Sequence, residues 1–270
     1  MSETKGGPVL VGFDFGTSWT AVATNRGHKE LVRSVVGYPR DMIGIKLLGQ
    51  PYVVGDKAFE MRSYVDLRGP LKDGVVREYV ERDVEVARHF VGHVMGLIPR
   101  DPGEEVGVIV GVPARASNVS KDLMLKIFRE FADFVQVISE PFLVAYGQGT
   151  LVNCLVIDIG AGTTDICALK GAMPGEKSQI TVNKAGNFVT EQLEALIVET
   201  YPDVQTNSYV VCAMKESHGF VGQPEKQVIA DLRAHGKPVA YDVTDAIRTA
   251  CESLIPDILE GVERLIQTCS

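Results

Sequence analysis

Two segments of the sequence, 11–18 and 156–165, share one pattern: an apolar run, an aspartate, an apolar residue, a glycine and then small residues rich in hydroxyl groups. The aspartates of the two copies, Asp14 and Asp158, are 144 residues apart. Because that distance is the size of an ordinary domain, the repeat predicts two related lobes. In each lobe a buried strand would end in a tight hairpin.

The residue types in these hairpins are suited to phosphate. Turns rich in Gly, Ala, Ser and Thr point successive backbone N–H groups at one spot, and such a concavity binds anions. Asp14 and Asp158 would repel phosphate directly, but they can organise a hydrated Mg²⁺, which keeps its waters and takes few carboxylates. The hydroxyl groups that add donors are those of Thr17, Ser18, Thr163 and Thr164.

Each hairpin taken alone could be an ordinary turn, since short glycine motifs produce many false matches. Two rival phosphate motifs are absent. The sequence contains no G-x-x-x-x-G-K-[ST], and neither 147–149 nor 160–162 is completed to G-x-G-x-x-G. The matched pair therefore favours a nucleotide held between two hairpins.

Composition narrows the class of protein. The 270 residues are 45% hydrophobic and 23% charged, with a net charge of −8, which is typical of a soluble globular protein. An acidic balance argues against binding to nucleic acid and to an anionic membrane surface. The N-terminus lacks the apolar core of a signal peptide, and no apolar run approaches the ~20 residues of a membrane span. We therefore expect a cytoplasmic protein without a transmembrane segment.

Hydrophobic periodicity predicts alternating strands and helices, hence an α/β protein. The predicted strands are 9–15, 19–24, 30–36, 106–112, 135–138, 151–157, 164–169 and 238–241, with a further one at 43–48. The predicted helices are 82–95, 117–131, a short one after Pro141, 190–199, one around Cys212, and a long C-terminal helix through 247–266 with a kink at Pro256.

Four segments, 13–18, 110–114, 139–142 and 158–165, resemble the bacterial branch of the actin, Hsp70 and sugar-kinase superfamily. The chain is similar in particular to the magnetosome-cytoskeleton group of bacterial actins, from about Leu10 to the end. The resemblance implies an actin-like ATPase fold. That fold has two related lobes, each with a mixed sheet and flanking helices.

The resemblance also divides the chain into parts. The first lobe core would be 9–36 and 70–150, with a small satellite subdomain at 37–69. The second lobe core would be 151–182 and 242–270, with a second satellite at 183–241. The family places further strands and a glycine-rich adenosine segment after the last helix. We therefore expect a second lobe that is incomplete at its C-terminus, with weak ATP binding, slow hydrolysis and lower stability than a full-length homologue.

Site residues follow from the resemblance position by position. Asp14 and Asp158 would organise Mg²⁺, with Asp158 also counted as catalytic. Glu140 stands where the family carries the acid that activates the attacking water, although it could merely begin a helix, where acids are favoured. The residues implied to bind ATP are Gly16, Thr17, Ser18, Gly160, Gly162, Thr163, Thr164, Gly186, Asn187, Lys215 and Glu216. The last two could instead be a solvated pair.

The resemblance implies a cytoskeletal ATP-binding protein that forms or joins cytoplasmic filaments and helps to align magnetosomes. Its partners would be other copies of itself, a full-length actin-like homologue and a magnetosome-associated adaptor, with an association with the magnetosome membrane. Two alternatives stay open. One is a non-hydrolysing partner that co-assembles with a full-length homologue. The other is a monomeric small-molecule kinase, for which the sequence shows no separate catalytic base.

Overall fold

The computed structural model describes residues 7–77 and 79–269. The strands are β1 (Val9–Phe15), β2 (Trp19–Thr24), β3 (Lys29–Arg33), β4 (Val36–Pro39), β5 (Val53–Val54), β6 (Val65–Arg68), β7 (Val106–Val112), β8 (Phe134–Ser139), β9 (Val152–Ile159), β10 (Thr164–Lys170), β11 (Gln179–Val182), β12 (Val204–Gln205), β13 (Ile229–Ala234) and β14 (Lys237–Asp242). The helices are α1 (Met42–Leu48), α2 (Asp56–Glu60), α3 (Glu81–Gly96), α4 (Asn118–Phe128), α5 (Glu140–Gly147), α6 (Gly186–Thr200), α7 (Ser208–His218), α8 (Thr244–Glu252) and α9 (Ile255–Cys269).

The first sheet has the order β3-β2-β1-β7-β8. Strands β1 to β3 form an antiparallel meander, whereas β1, β7 and β8 run parallel. One face packs on α3 and α4 through a cluster of buried rings, Phe13, Phe15, Phe90 and Phe128. The sheet therefore has one fully buried face, which holds β1 and its terminal hairpin in place.

Phe128 lies at the centre of this cluster. Its side chain is completely buried, with ring centroids 4.8 Å from Phe13 and 6.2 Å from Phe15. Because a large aromatic leaves a cavity when it is truncated, we expect Phe128→Ala to lower the free energy of unfolding by about 3–5 kcal/mol. Urea unfolding measures this loss. The matched control is Phe134→Ala, whose ring is 60% exposed. Equal losses in the two variants would contradict the prediction.

The second sheet repeats the meander. Strands β9, β10 and β11 pair antiparallel in the order β11-β10-β9, as β1, β2 and β3 do in the first sheet. Asp14 and Asp158 are each the penultimate residue of the first strand in their meander. The repeat in the sequence thus corresponds to a repeat of structure, with one hairpin at the end of β1 and the other at the end of β9.

Strand β9 lies at the edge of the second sheet. In the described part of the chain it pairs with β10 alone. Helix α9 covers the neighbouring strand, where Gly261 lies against the Ile166 side chain. On β9 itself Leu155, Ile157 and Ile159 are all exposed. One face of this strand is therefore both apolar and uncovered.

Two smaller units flank the sheets. Strands β5, β4 and β6 form one sheet with α1 and α2 beside it, and β12, β13 and β14 form another beside α6, α7 and α8. Each unit has its own buried core. We propose the division suggested by the sequence, with cores at 9–36 and 70–150 and at 151–182 and 242–270, and satellites at 37–69 and 183–241. The boundary after 241 needs correction, because Val243 and the α8 residues Ile247 and Ala250 pack into the core of the second satellite.

The prediction of a strand at 43–48 is wrong, because this segment is helix α1. Asp41 caps the helix by accepting hydrogen bonds from the N–H groups of Ile43 and Gly44, and Gly49 ends it in a left-handed conformation. These capping signals outweigh the apolar run that suggested a strand. The helix leaves Met42, Ile43, Ile45 and Leu47 exposed.

The prediction of one long C-terminal helix with a kink at Pro256 is also wrong. The chain forms two helices, α8 and α9, which are separated at residues 253–254. Pro256 is the second residue of α9, where its missing N–H costs nothing and its fixed φ favours a helix start. Within the described residues, no helix combines the length and the apolar character needed to span a bilayer.

Candidate functional site

The two hairpins face each other across a cleft of about 360 Å³, a volume within the usual range of small-molecule sites. Its walls come from the ends of β1 and β9, the start of α5, the start of α6 and one side of α7. The predicted site residues that line it are Asp14, Gly16, Thr17, Ser18, Glu140, Asp158, Gly160, Gly162, Thr163, Gly186, Asn187, Lys215 and Glu216. The fold thus gathers residues that are far apart in the sequence.

In the first hairpin the turn leaves no room for a side chain at Gly16. A Cβ there would lie 2.2 Å from the Trp19 carbonyl oxygen. The Ser34 hydroxyl donates a hydrogen bond to the Gly16 carbonyl at 2.6 Å, and the Gly74 N–H donates to the Thr17 hydroxyl oxygen at 3.2 Å. The hairpin is therefore fixed from both sides, and among the described residues the Thr17 hydroxyl donates its own proton to no partner.

The second hairpin is fixed by backbone hydrogen bonds. The Gly160 N–H donates to the Thr163 carbonyl at 2.9 Å. The N–H groups of Gly186 and Asn187 donate to the carbonyls of Gly160 and Ala161 at 3.0 and 2.8 Å. These two N–H groups hold the start of α6 against the hairpin and are not available to a ligand. Other atoms of Gly186 and Asn187 still line the cleft.

Thr164 does not line the cleft. Its side chain is completely buried, and its hydroxyl donates to the Lys184 carbonyl at 2.8 Å. The expectation that Thr164 supplies a phosphate donor needs correction, because this hydroxyl already ties β10 to the segment before α6. Thr163 lines the cleft, but its hydroxyl donates to the Asp165 carboxylate at 3.1 Å.

Lys215 and Glu216 lie on α7, at the wall of the cleft. The Lys215 ammonium donates to the Gly186 carbonyl at 3.0 Å, so α7 is joined to the start of α6. The Glu216 carboxylate accepts a weak hydrogen bond from the Cys212 thiol at 3.5 Å. The two side chains thus make contacts with different partners, and both remain beside the cleft.

Asp165 is a cleft residue that the sequence interpretation did not single out. It lies directly opposite Asp158 in the β9–β10 register. The Asp165 carboxylate accepts hydrogen bonds from the Ala114 N–H at 2.8 Å, the Thr181 hydroxyl at 2.5 Å and the Thr163 hydroxyl. A charged residue at a buried position of a strand was the signal that could have revealed it.

Asp14, Asp158 and Glu140 differ from Asp165 in their bonding. Their carboxylates make no side-chain hydrogen bond within the described residues, whereas the Asp165 oxygens are occupied by three donors. A carboxylate that is partly desolvated in a cleft and has no donor is unfavourable when ionised. These three groups are therefore the ones with oxygens free for a cation, a water molecule or a proton.

The pKa values of the four carboxyls reflect this crowding. Burial raises the pKa of Asp14, and burial together with the charges of Asp165 and Asp14 raises the pKa of Asp158. Burial also raises the pKa of Asp165, against the effect of its three hydrogen-bond donors. Burial, followed by the charges of Asp165, Asp14 and Asp158, raises the pKa of Glu140 to about 8. The cleft therefore favours uptake of positive charge.

The donor set fits Mg²⁺. Asp14 and Asp158 are the penultimate residues of corresponding strands in the two sheets, and both line the cleft. Among the described residues their carboxylates accept no side-chain hydrogen bond, and hard oxygen ligands around retained water are what Mg²⁺ prefers. Glycine-rich turns beside them can approach phosphate closely.

Glu140 does begin α5, as the alternative interpretation held, and it also lines the cleft. Both statements hold for the same residue.

The sequence matches the MreB/Mbl protein family over residues 9–270. It is 52% identical to the actin-like protein MamK of Paramagnetospirillum magneticum over 271 aligned residues, which cover 99% of this chain and 78% of that relative.

Two solved structures are similar to the whole fold. A MamK double helical filament superposes with a TM-score of 0.93 at 53% identity, covering 96% of this chain and 80% of the other. A non-polymerising MamK mutant bound to AMPPNP superposes with a TM-score of 0.71 at 52% identity, covering 97% and 81%. The actin-like α/β fold expected from the sequence is confirmed.

Proposed function

Because the chain belongs to the MreB/Mbl family of actin-like proteins, we propose that it binds ATP with Mg²⁺ in the cleft between the two hairpins and assembles into filaments with other copies of itself. The hairpins and the free carboxylates support the first part of this proposal. The similarity to a filament supports the second.

The observation that carries filament formation is the contrast between two solved relatives. Both have nearly the same identity to this chain and nearly the same coverage. The TM-score is nevertheless 0.93 for the filament and 0.71 for the non-polymerising mutant. Since sequence divergence is the same in the two comparisons, the difference lies in overall conformation. The closer superposition on the filament subunit supports the proposal that this chain assembles.

The roles proposed for the site residues depend on which of their polar atoms already have a hydrogen-bond partner in the protein. Asp14 and Asp158 would hold Mg²⁺, which would supply positive charge beside the phosphates. The turns at Gly16 and Gly160 lie beside the phosphates, and Thr17 and Ser18 donate to them. Gly162 and Thr163 complete the second turn, with Thr163 oriented by Asp165.

The nucleoside end of the ligand lies on the other side of the cleft. Gly186 and Asn187 at the start of α6 border the ribose. Lys215 and Glu216 on α7 border the adenosine, and Lys215 is held there by the Gly186 carbonyl. The support for this direction is the family resemblance, which implied these four residues as part of the ATP site.

Hydrolysis of ATP to ADP and phosphate depends on Glu140 in this proposal. Its carboxylate makes no side-chain hydrogen bond among the described residues and lines the same cleft as Asp14 and Asp158. A bound Mg²⁺ supplies positive charge that lowers the pKa of nearby carboxyls. The ionised Glu140 can then orient a water molecule and accept its proton.

At the level of the cell we propose that the filaments help to arrange magnetosomes in the cytoplasm. The partners in this proposal are a full-length actin-like homologue, with which the chain co-assembles, and an adaptor on the magnetosome membrane. The support is the family and the similarity to MamK filaments. Mixed-filament sedimentation with a full-length MamK tests the first partner, and co-pelleting with isolated magnetosomes tests the second.

The direct test is electron microscopy of the purified chain with ATP and Mg²⁺, with each alone, and with neither. We expect filaments with both ligands and far fewer without them, and sedimentation should give the same order. Nucleotide binding without assembly at any concentration would refute filament formation. Transfer of phosphate to a small-molecule acceptor under the same conditions would favour the kinase alternative instead.

A further inference from the structure

The two satellite subdomains touch each other through an aromatic pair. Phe59 lies on α2 in the first satellite and Tyr209 on α7 in the second, and their rings meet edge to face with centroids 5.1 Å apart. The two residues are 150 positions apart in the sequence. The contact therefore joins the parts of the molecule that stand on either side of the cleft.

The first partner, Phe59, is held from the side of the β1 hairpin. The Arg33 guanidinium lies between the rings of Trp19 and Phe59, at 4.3 and 4.5 Å from their centroids. Asp56 fixes that guanidinium through a 3.0 Å ion pair. Stacking of a cation on an aromatic face is attractive, and Trp19 itself lines the cleft. Phe59 is thus coupled to the residue that follows the first hairpin.

The second partner, Tyr209, is held by α7. Asn207 caps this helix by accepting hydrogen bonds from the N–H groups of Tyr209 and Val210. One turn further along, Cys212 lines the cleft, and Lys215 follows it. The contacts from Trp19 through Arg33, Phe59 and Tyr209 therefore join the cleft residue Trp19 to the helix that carries Cys212 and Lys215.

On another side the two lobes are joined by hydrogen bonds. The N–H groups of Ala114 and Arg115 donate to Asp165 and to the Thr181 hydroxyl, at 2.8 and 3.0 Å. These bonds involve buried or backbone groups, whereas Tyr209 is 52% exposed. The aromatic pair is therefore the contact that can separate at lower cost when a ligand enters or leaves.

We propose that Phe59 and Tyr209 form a clasp that keeps the cleft closed over a bound adenine nucleotide and sets the rate of its release. This inference rests on the proposed nucleotide function. An edge-to-face pair contributes an interaction that corresponds to roughly a two- to tenfold effect on a rate. Breaking the clasp should therefore speed release by that factor while the phosphate hairpins remain intact.

The experiment is stopped-flow release of a fluorescent ATP analogue, chased with excess ATP, from the full chain with Mg²⁺ below the concentration of assembly. Phe59→Ala and Tyr209→Ala should each release the analogue about two to ten times faster. The double variant should be no faster than the single ones, because either change breaks the same contact. Tyr209→Phe keeps the ring and should restore the wild-type rate.

The matched control is Tyr64→Ala, which removes an exposed tyrosine from the same satellite and should release the analogue at the wild-type rate. Unchanged release in both clasp variants, or a double variant equal to the product of the single effects, would overturn the clasp alone. An absence of any binding to the wild-type chain would overturn the nucleotide proposal, and the clasp with it.

Discussion

Asp158→Asn is expected to reduce Mg²⁺-dependent ATP binding by roughly 100-fold, the upper end of what loss of a residue that orients a metal's shell usually costs. Asp158 has free carboxylate oxygens and lies across the cleft from Asp14. In the proposed site Asp14 and Asp158 would hold the cation together, so replacing Asp158 removes one of the two carboxylates. The charges of Asp14 and Glu140 would then repel the phosphates with less compensation from the cation.

Isothermal titration with ATP, with and without Mg²⁺, measures this effect. The matched control is Asp122→Asn, an exposed acid on α4 that lies outside the cleft and should bind like the wild type. If Mg²⁺ raises the affinity of Asp158→Asn for ATP as much as it raises that of the wild type, Asp158 has no part in holding a metal, and the cation site must be placed elsewhere.

Glu140→Gln is expected to lower ATP turnover by roughly 10²–10⁴-fold, the usual effect of losing a general base, while the affinity for ATP stays near that of the wild type. Glutamine keeps the size of the side chain and its place at the start of α5, but it cannot accept a proton. Turnover is measured by phosphate release at saturating ATP. An unchanged rate would show that Glu140 does no more than begin the helix.

The same variant has a second signature, in stability rather than turnover. The pKa of Glu140 is raised to about 8 from an ordinary 4.5, so the folded state holds this proton more tightly than the unfolded chain. The contribution of this group to the free energy of unfolding is fully present below about pH 4.5 and is lost as the pH rises through about 8. Without nucleotide and metal, Glu140→Gln should therefore show a flatter dependence of Tm on pH across that window.

The sequence predicted the parts of the fold that depend on neighbours along the chain. Strands β1, β2 and β7 begin and end where the β-branched runs do, because Gly, Pro and polar residues mark their ends. The repeat predicted both hairpins, and the family resemblance implied the further cleft residues Glu140, Gly186, Asn187, Lys215 and Glu216. A strand that ends in Asp-x-Gly leaves the backbone few ways to continue, so the pattern alone fixes the local structure.

The features that the sequence did not predict depend on contacts across the fold. Helix α1 has the apolar content of a strand, but the capping residues Asp41 and Gly49 favour the helical conformation. Asp165 became a site residue only through its register opposite Asp158. The contact of Phe59 with Tyr209 joins two segments that are far apart in the sequence, and the local pattern of neither segment indicates the contact. Such pairs depend on how the lobes close, and periodicity carries no information about that.

Among the described residues, the unpaired edge of strand β9 is a site at which we expect aggregation to begin. An exposed, apolar edge strand is a template for pairing with another chain, and the outward face of β9 shows Leu155, Ile157 and Ile159. The strand that would be captured in this way is the strand that ends at Asp158. We therefore expect aggregation that starts here to distort the second hairpin, so that soluble protein and the proposed nucleotide binding are lost together.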